Sequence, residues 1–305
     1  MDRLGGMTTA LAVARAGSLS AAGRVLTMPV ATVSRKIAEL EAHLGVQLFV
    51  RSSRRLTLTP AGEAYLPAAQ RVLEDLAAAE RTASGEYQAP VGTLAVTTPI
   101  AFGQMHVLPV ALGFLEAYPQ IDLRLFQSEK TVNLIEDPFD VAVRIGPLPD
   151  SQLVARAVGE TRRVVCASPD YLARRGTPQT LDALEDHDGV TLESIASVRG
   201  WTFTLERRDV TVPIRPRLSV NTTRSAVDAA VAGFGLVRTL GYQVADEVAA
   251  GRLRILLEAF EPRPWPVHLV HVAQGPIPLK VRAFLDWSAP RLRTRLEQAT
   301  PHGPG

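Results

Sequence analysis

Residues 18–62 read SLSAAGRVLTMPVATVSRKIAELEAHLGVQLFVRSSRRLTLTPAG, and the spacing within this stretch decides the fold of the N-terminal domain. Ser18 is placed to cap a short helix running to Leu26, because its hydroxyl can accept a free amide of the first turn. After a three-residue break, Pro29 brings the fixed φ that suits a helix start. Val33, Ile37, Leu40 and Leu44 then recur at spacings of four, three and four, which is one buried helical face. The other face shows Ala31, Thr32, Ser34, Arg35 and Lys36, all small, polar or basic. Gly45 ends the helix, since it takes a left-handed conformation without penalty. Residues 46–60 read as a β-hairpin with a cationic turn from Arg51 through Arg54 to Arg55. Two helices on one apolar seam, followed by a basic hairpin, predict a winged helix-turn-helix that reads DNA.

The charge distribution agrees. Residues 1–60 hold eight Lys and Arg against three acids, whereas the rest of the chain holds 25 against 28. One end therefore suits a polyanion and the other does not. Arg35 is the foremost candidate for a base edge or phosphate, because a guanidinium fork matches guanine O6/N7 and phosphate alike. Ala31, Thr32 and Ser34 are short enough to let the helix sink into a groove, and Lys36 extends the basic face. Arg51 and Arg54 are placed to reach phosphates or the minor groove.

Thr59 and Pro60 supply a cap and a first-turn proline for a long helix to about residue 88. Gly62, Tyr65, Ala69, Val72, Leu76, Ala79 and Ala83 keep one narrow stripe on a single side, which asks for a partner helix. Pro67 is expected to kink this helix near its start. Beyond Ala89-Pro90, strands and helices alternate: a strand at 93–97, a helix with Ala101, Met105, Leu108, Leu112 and Leu115 inward, strands at 121–126 and 140–145, and a helix at 131–136 between them. A similar set runs from Arg163 through a helix at 222–232 and a strand at 236–239. A strand at 267–272 and a helix at 277–297 close the chain. This alternation predicts a largely parallel α/β sheet.

The N-terminal segment resembles the DNA-binding domain of LysR-type transcriptional regulators. The likeness is carried by Gly17-Ser18, Ser20-Ala21-Ala22, Val33-Ser34-Arg35, Leu40-Glu41, Leu44-Gly45-Val46, Leu48-Phe49, Arg51, Arg54 and Leu58-Thr59-Pro60-Ala61-Gly62. Two departures stand out: Gly23 where the family usually has Ala, and Pro29 where a Ser often caps. Further on, Phe139-Asp140, Arg144-Ile145-Gly146, Cys166 to Tyr171, Arg175 to Pro178 and Ala232 to Gly235 resemble the family's regulatory half, which has the periplasmic-binding-protein fold. The resemblance implies a winged helix-turn-helix at 1–60, a linker and dimerisation helix at 61–89, and an effector domain at 90–305. Lobe I would take about 91–160 and 268–297, and lobe II about 161–267.

Thr97, Thr98 and Pro99 end a strand and open a helix, where free amides and the helix dipole favour an anion. The same residues could equally be an ordinary Thr98 cap. By the resemblance this spot lines a cleft for a small-molecule effector, joined by Gln127, Ser128, Arg144 and Gly146, with Phe203 and Thr222 opposite. The expected partners are double-stranded DNA, a small molecule for which an anion is one class, further copies of the chain as a dimer or tetramer, and RNA polymerase as a candidate.

Other chemistry finds little support. Cys166 is the only cysteine, which fits a reducing cytosol, and it lies in an apolar run where a thiol behaves as a small hydrophobe. His268 and His271 sit three apart on a strand, facing opposite sides, so no metal is expected. Gly233-Phe234-Gly235 follows a helix and lacks a third glycine, hence no dinucleotide cofactor. No nucleophile elbow or phosphate loop occurs, and no catalytic set is expected. With no eighteen-residue apolar run and no signal-peptide pattern, the reading is a cytoplasmic regulator without membrane contact. A transport solute-binder and an α/β enzyme are the rival readings.

Overall fold

The computed structural model describes residues 2–51, 56–83, 89–134, 137–148, 153–192, 200–272 and 277–299. Two units result, one of Met1–Gly92 with Pro278–Lys280 and one of Thr93–Ile277 with Val281–Gly305.

In the first unit, a helix absent from the sequence reading comes first. Asp2 caps α1 (Arg3–Ala16) by accepting the Gly5 amide at 2.9 Å, and Gly17 closes it in the left-handed conformation. Ser18 Oγ accepts the Ala21 amide at 3.1 Å and opens α2 (Leu19–Val25), as its position predicts. The turn that follows is tight: the Met28 amide donates to the Gly23 carbonyl at 2.8 Å. A Cβ at residue 23 would lie 2.8 Å from the Met28 carbonyl oxygen, so the departure to glycine fits this close turn. Pro29 holds the N-cap position of α3 (Val30–Leu44), and its carbonyl accepts the Thr32 and Val33 amides. Gly45 ends α3 with φ +70°.

The wing pairs β1 (Phe49–Arg51) antiparallel with β2 (Leu56–Leu58). Glu41 fastens its base to α3, accepting the Leu48 and Phe49 amides at 2.8 and 3.1 Å. Val33, Ile37 and Leu40, each at most 1% exposed, pack with Val13, Ala22, Leu48 and Leu66 into one core. Leu40→Ala there would cost about 2–5 kcal/mol. Thr59 then caps α4 (Pro60–Ala83), its hydroxyl accepting the Gly62 amide at 3.0 Å.

In the second unit, β3 (Gly92–Thr98) leads into a helical stretch of three pieces: α5 (Ile100–Phe102), a π-turn (Gly103–Val107) and α6 (Leu108–Ala117). Of the expected inward set, Ala101, Met105 and Leu115 do pack against the core, and Leu108 and Leu112 are corrected by this turn. Phe102, Val107, Val110 and Phe114 form the buried side, while Leu108 and Leu112 are 42% and 55% exposed. A π-turn holds one extra residue, which rotates everything after it by about 100° around the axis.

β4 (Ile121–Gln127) and β5 (Val141–Ile145) follow. The helix expected at 131–136 is also corrected: residues 131–134 are not helical, and 135–136 lie outside the described residues. Asp137 takes over local hydrogen bonding, its carboxylate accepting the Asn133 amide at 2.8 Å and its amide donating to the Asn133 carbonyl. Such side-chain bonding competes with a helix.

The chain crosses to the second lobe at Arg162, between β6 (Leu153–Thr161) and β7 (Arg163–Ala167). That lobe adds α7 (Pro169–Arg175), β8 (Asp188–Leu192), the hairpin β9–β10 (Trp201–Leu205, Arg208–Val212), β11 (Arg215–Val220), α8 (Thr223–Val231), β12 (Leu236–Leu240), α9 (Ala245–Ala249) and β13 (Arg254–Leu256). β14 (Trp265–Val272) returns to the first sheet, and α10 (Leu279–Gln298) packs on it.

The sheets are mixed, which corrects the largely parallel expectation. In the order β4-β3-β5-β14-β6, β3 and β5 are parallel, but β14 runs antiparallel to β5 and β6. In β11-β8-β12-β7-β13, the first three strands are parallel and β7 opposes both neighbours. The strands that oppose their neighbours, β7 and β14, are the ones that carry the chain into a lobe from the other.

Candidate functional site

The exposed side of α3 carries the small and basic residues that the helical spacing predicts. Ala31 and Arg35 are exposed, and Thr32 and Ser34 half-buried. The Arg35 side chain is 70% exposed, with Nε 4.0 Å from Glu39 one turn on. An exposed pair that long contributes little, so the guanidinium stays available. Lys36 is differently placed. Its Nζ is 3.5 Å from Asp2 Oδ2, and the same carboxylate caps α1. The Gly5 amide, and after it Lys36, hold the Asp2 carboxyl below its ordinary range. Lys36 thus ties α3 to the start of α1. Arg51 ends the first wing strand opposite Leu56, and Arg54 lies outside the described residues.

The α4 stripe divides. Tyr65 packs half-buried on the core of its own unit and Ala69 is 1% exposed, so both are engaged within the chain. Val72 and Leu76, 48% and 37% exposed, begin the part of the stripe open to a partner. Ala79 and Ala83 lie further along the same helix.

The expected effector residues gather in part. Thr97 and Thr98 are 3% and 2% exposed at the end of β3. The Ser128 amide donates to the Thr98 carbonyl at 3.0 Å, joining this end to β4. Gln127 closes on the same point: a Cβ at Gly103 would lie 2.5 Å from Thr98 Cγ2 and 2.9 Å from Gln127 Cγ. Thr98 does not cap the helix. Pro99 holds the cap position without a side-chain bond, and the Glu129 carboxylate accepts the Ile100 amide at 3.2 Å. A carboxylate from the chain itself thus occupies a place that free amides and dipole reserve for an anion. Sequence reasoning stopped one residue short of Glu129.

Three expected residues stand apart. The Arg144 guanidinium donates to the Val132 carbonyl, bracing the segment that packs on Ala142 and Val270. Phe203 is 2% exposed within the lobe II core. Thr222 caps α8, accepting the Ser225 amide at 3.3 Å.

Gly146, at the end of β5, packs against Trp265, and over that ring lies the Arg163 guanidinium, 4.5 Å from its centroid. Arg238, diagonal to Arg163 on the neighbouring strand, sits 5.6 Å from the Phe203 centroid and donates to the Thr202 carbonyl. Among the described residues the Nε atoms of both arginines are buried without a partner. Burial, with Arg163 adding repulsion, pushes Arg238 down to about 10, and burial also lowers Arg163. Their neighbour Arg162 contrasts with both, for it pairs with Glu258 at 2.7 Å and Glu261 at 2.8 Å. The sequence signal was an arginine inside an apolar strand, as in Leu236-Val237-Arg238.

Two cavities lie elsewhere. One of about 230 Å³ is walled by Arg174, Arg175, Arg217 and Phe234, and another of about 580 Å³ by His106, Tyr242, Asp246 and Arg295. Neither touches Thr98, Gln127 or Ser128. Cys166 is fully buried, and burial pushes its thiol up to about 12, so it stays protonated. Among the described residues no group of His, Cys, Asp and Glu could hold a metal ion.

Residues 4–63 match the description "Bacterial regulatory helix-turn-helix protein, lysR family", and residues 88–293 match "LysR substrate binding domain". The chain belongs to the LysR family. Like other LysR-type transcriptional regulators it joins a helix-turn-helix DNA-binding domain to an effector-binding domain. The transcriptional regulator CrgA of Neisseria meningitidis serogroup B is 34% identical over 291 residues, which span 95% of this chain and 97% of CrgA. The solved structure of CrgA matches with a TM-score of 0.62 at 33% identity, covering 94% of this chain and 98% of that one. The full-length structure of AphB, a Vibrio cholerae virulence activator, matches with a TM-score of 0.59 at 27% identity, covering 93% and 98%.

Proposed function

We propose that this LysR-type regulator acts in the cytoplasm as a dimer or tetramer, reads DNA through α3 and the wing, and has no enzymatic activity. A small anion bound between the lobes would change its hold on DNA. The observation that carries the reading is the exposed face of α3, where Arg35 projects beside Ala31, Thr32 and Ser34 over a core closed by Val33, Ile37 and Leu40. A rigid, well-packed helix with a basic, short-chained outer face suits insertion into a major groove.

The stripe from Val72 onward supports pairing through α4, which would set two reading heads on two half-sites. For the effector, the support is the meeting of Thr97, Thr98, Gln127 and Ser128 at the carboxyl ends of β3 and β4. A gel shift of the full chain against DNA from upstream of its own gene tests the reading. A shift that survives excess unrelated DNA is expected; binding that unrelated DNA abolishes would count against a specific regulator.

A further inference from the structure

Arg163 and Arg238 pose an unbalanced account of charge. They stand on adjacent antiparallel strands, with Leu240 opposite Arg163 and Arg238 two residues before it. Side chains so related share one face of the sheet, with Cα atoms about 7–8 Å apart. They sit where β7 begins and β12 ends, beside the Arg162 crossing and beside Trp265, where the chain comes back. Among the described residues no carboxylate forms an ion pair with either, and Asp209, which favours charged Arg163 from a distance, is engaged by the Thr204 hydroxyl at 3.1 Å. Two guanidiniums held side by side, half-buried and without an ion-paired carboxylate, are costly unless an anion completes them. Arg162 shows what completion looks like when the chain supplies it.

We propose that Arg163 and Arg238 are the lobe II half of the effector site, and that the effector is a small dicarboxylate whose two charges they pair. This inference rests on the reading of the interlobe region as the effector site. A dicarboxylate suits the geometry better than one compact anion, because the two guanidiniums are on separate strands and each is held in place separately. Trp265 backs Arg163 and Phe203 backs Arg238, so the rings fix the cations while their remaining N–H groups turn to the ligand. Each ligand carboxylate would then take one charge-assisted bond set.

The test uses the full chain and thermal unfolding at fixed ionic strength with malonate, succinate, glutarate and phthalate. Acetate, butyrate, benzoate and inorganic phosphate serve as counterparts. At least one dicarboxylate should raise Tm by about 5 °C or more near saturation. Its single-carboxylate counterpart and phosphate should not, and Arg163→Gln and Arg238→Gln should each remove the rise. A second arm needs no ligand. Arg238→Met removes an uncompensated charge and should leave the ligand-free Tm unchanged or higher, whereas Arg162→Met strands Glu258 and Glu261 and should lower it. The proposal is overturned if no dicarboxylate protects, if phosphate or the single acids protect equally, or if Arg238→Met falls as far as Arg162→Met. A gel shift on the same sample separates the two readings. Specific DNA binding without dicarboxylate protection sinks this inference and leaves the regulator standing; protection without DNA binding does the reverse.

Discussion

The Glu129 carboxylate lies 3.2 Å from the Ile100 amide, at the head of the helical stretch that follows β3. It is therefore a built-in competitor for any anion approaching Thr98. Glu129→Gln keeps an acceptor but removes the charge. Glu129 repels a dianion held by the two arginines across the cleft, so affinity for the dicarboxylate that protects best should rise about two- to fivefold, the ~0.4–1 kcal/mol of like charges roughly ten ångströms apart in water. Isothermal titration of the full chain checks this, and unchanged affinity would reduce Glu129 to a simple cap.

Arg35 and Lys36 are neighbours in sequence with different surroundings. Arg35→Ala should weaken a specific site by about 1–3 kcal/mol without changing Tm, since its ion pair with Glu39 is long and exposed. Lys36→Met should lower Tm by a few degrees, because it unties α3 from Asp2. Binding isotherms paired with melting curves distinguish the two; equal loss of Tm in both variants would contradict the division.

On α4, Leu76→Glu and Ala69→Glu should fail in different ways. Leu76 is 37% exposed, so a charge there leaves the chain folded but opposes pairing through the stripe. Ala69 is 1% exposed, and a buried glutamate unfolds the reading head. Light scattering should find Leu76→Glu smaller than the parent with unchanged helix content. A Leu76→Glu protein of parental size would show that the stripe does not hold copies together.

His106, in the π-turn, is 3% exposed with both ring nitrogens unpartnered among the described residues, and burial pushes it down to about 4 from an ordinary 6.5. Between those values the unfolded chain takes up a proton that the folded chain refuses. Stability present above pH 6.5 is therefore lost as pH falls toward 4, by up to about 3 kcal/mol. His106→Phe keeps a ring beside Phe102 and Tyr242, whose centroids lie 4.8 and 5.1 Å away, and removes the titration. Its Tm should fall less than the parent's from pH 6.5 to 4.5, and parallel curves would refute the assignment.

Much of the reading head was legible because its rules are local. Ser18, Gly45 and Thr59 act within three residues of themselves, and the Val33–Ile37–Leu40 spacing needs only a regular helix. The effector domain was legible as alternation but not as orientation. Strand direction in β7 and β14 depends on where the chain crosses between lobes, which no window of sequence reports. Arg144 was expected at the cleft from its place near the end of β5, yet a nearby carbonyl captures it. Arg163 and Arg238 went unnoticed because their meaning lies in the absence of a carboxylate partner, a property of packing.

The single added residue in the Gly103–Val107 turn also governs how this protein lines up with its relatives. Where a relative continues as a plain α-helix through the same point, the correct alignment has a one-position gap in the middle of a helix. An alignment that forbids such gaps would set Leu108 and Leu112 opposite core residues and read surface variation as core change. Deleting Gln104 would convert this chain to the ungapped form, leaving Phe114 in the core and Leu108 and Leu112 outside it.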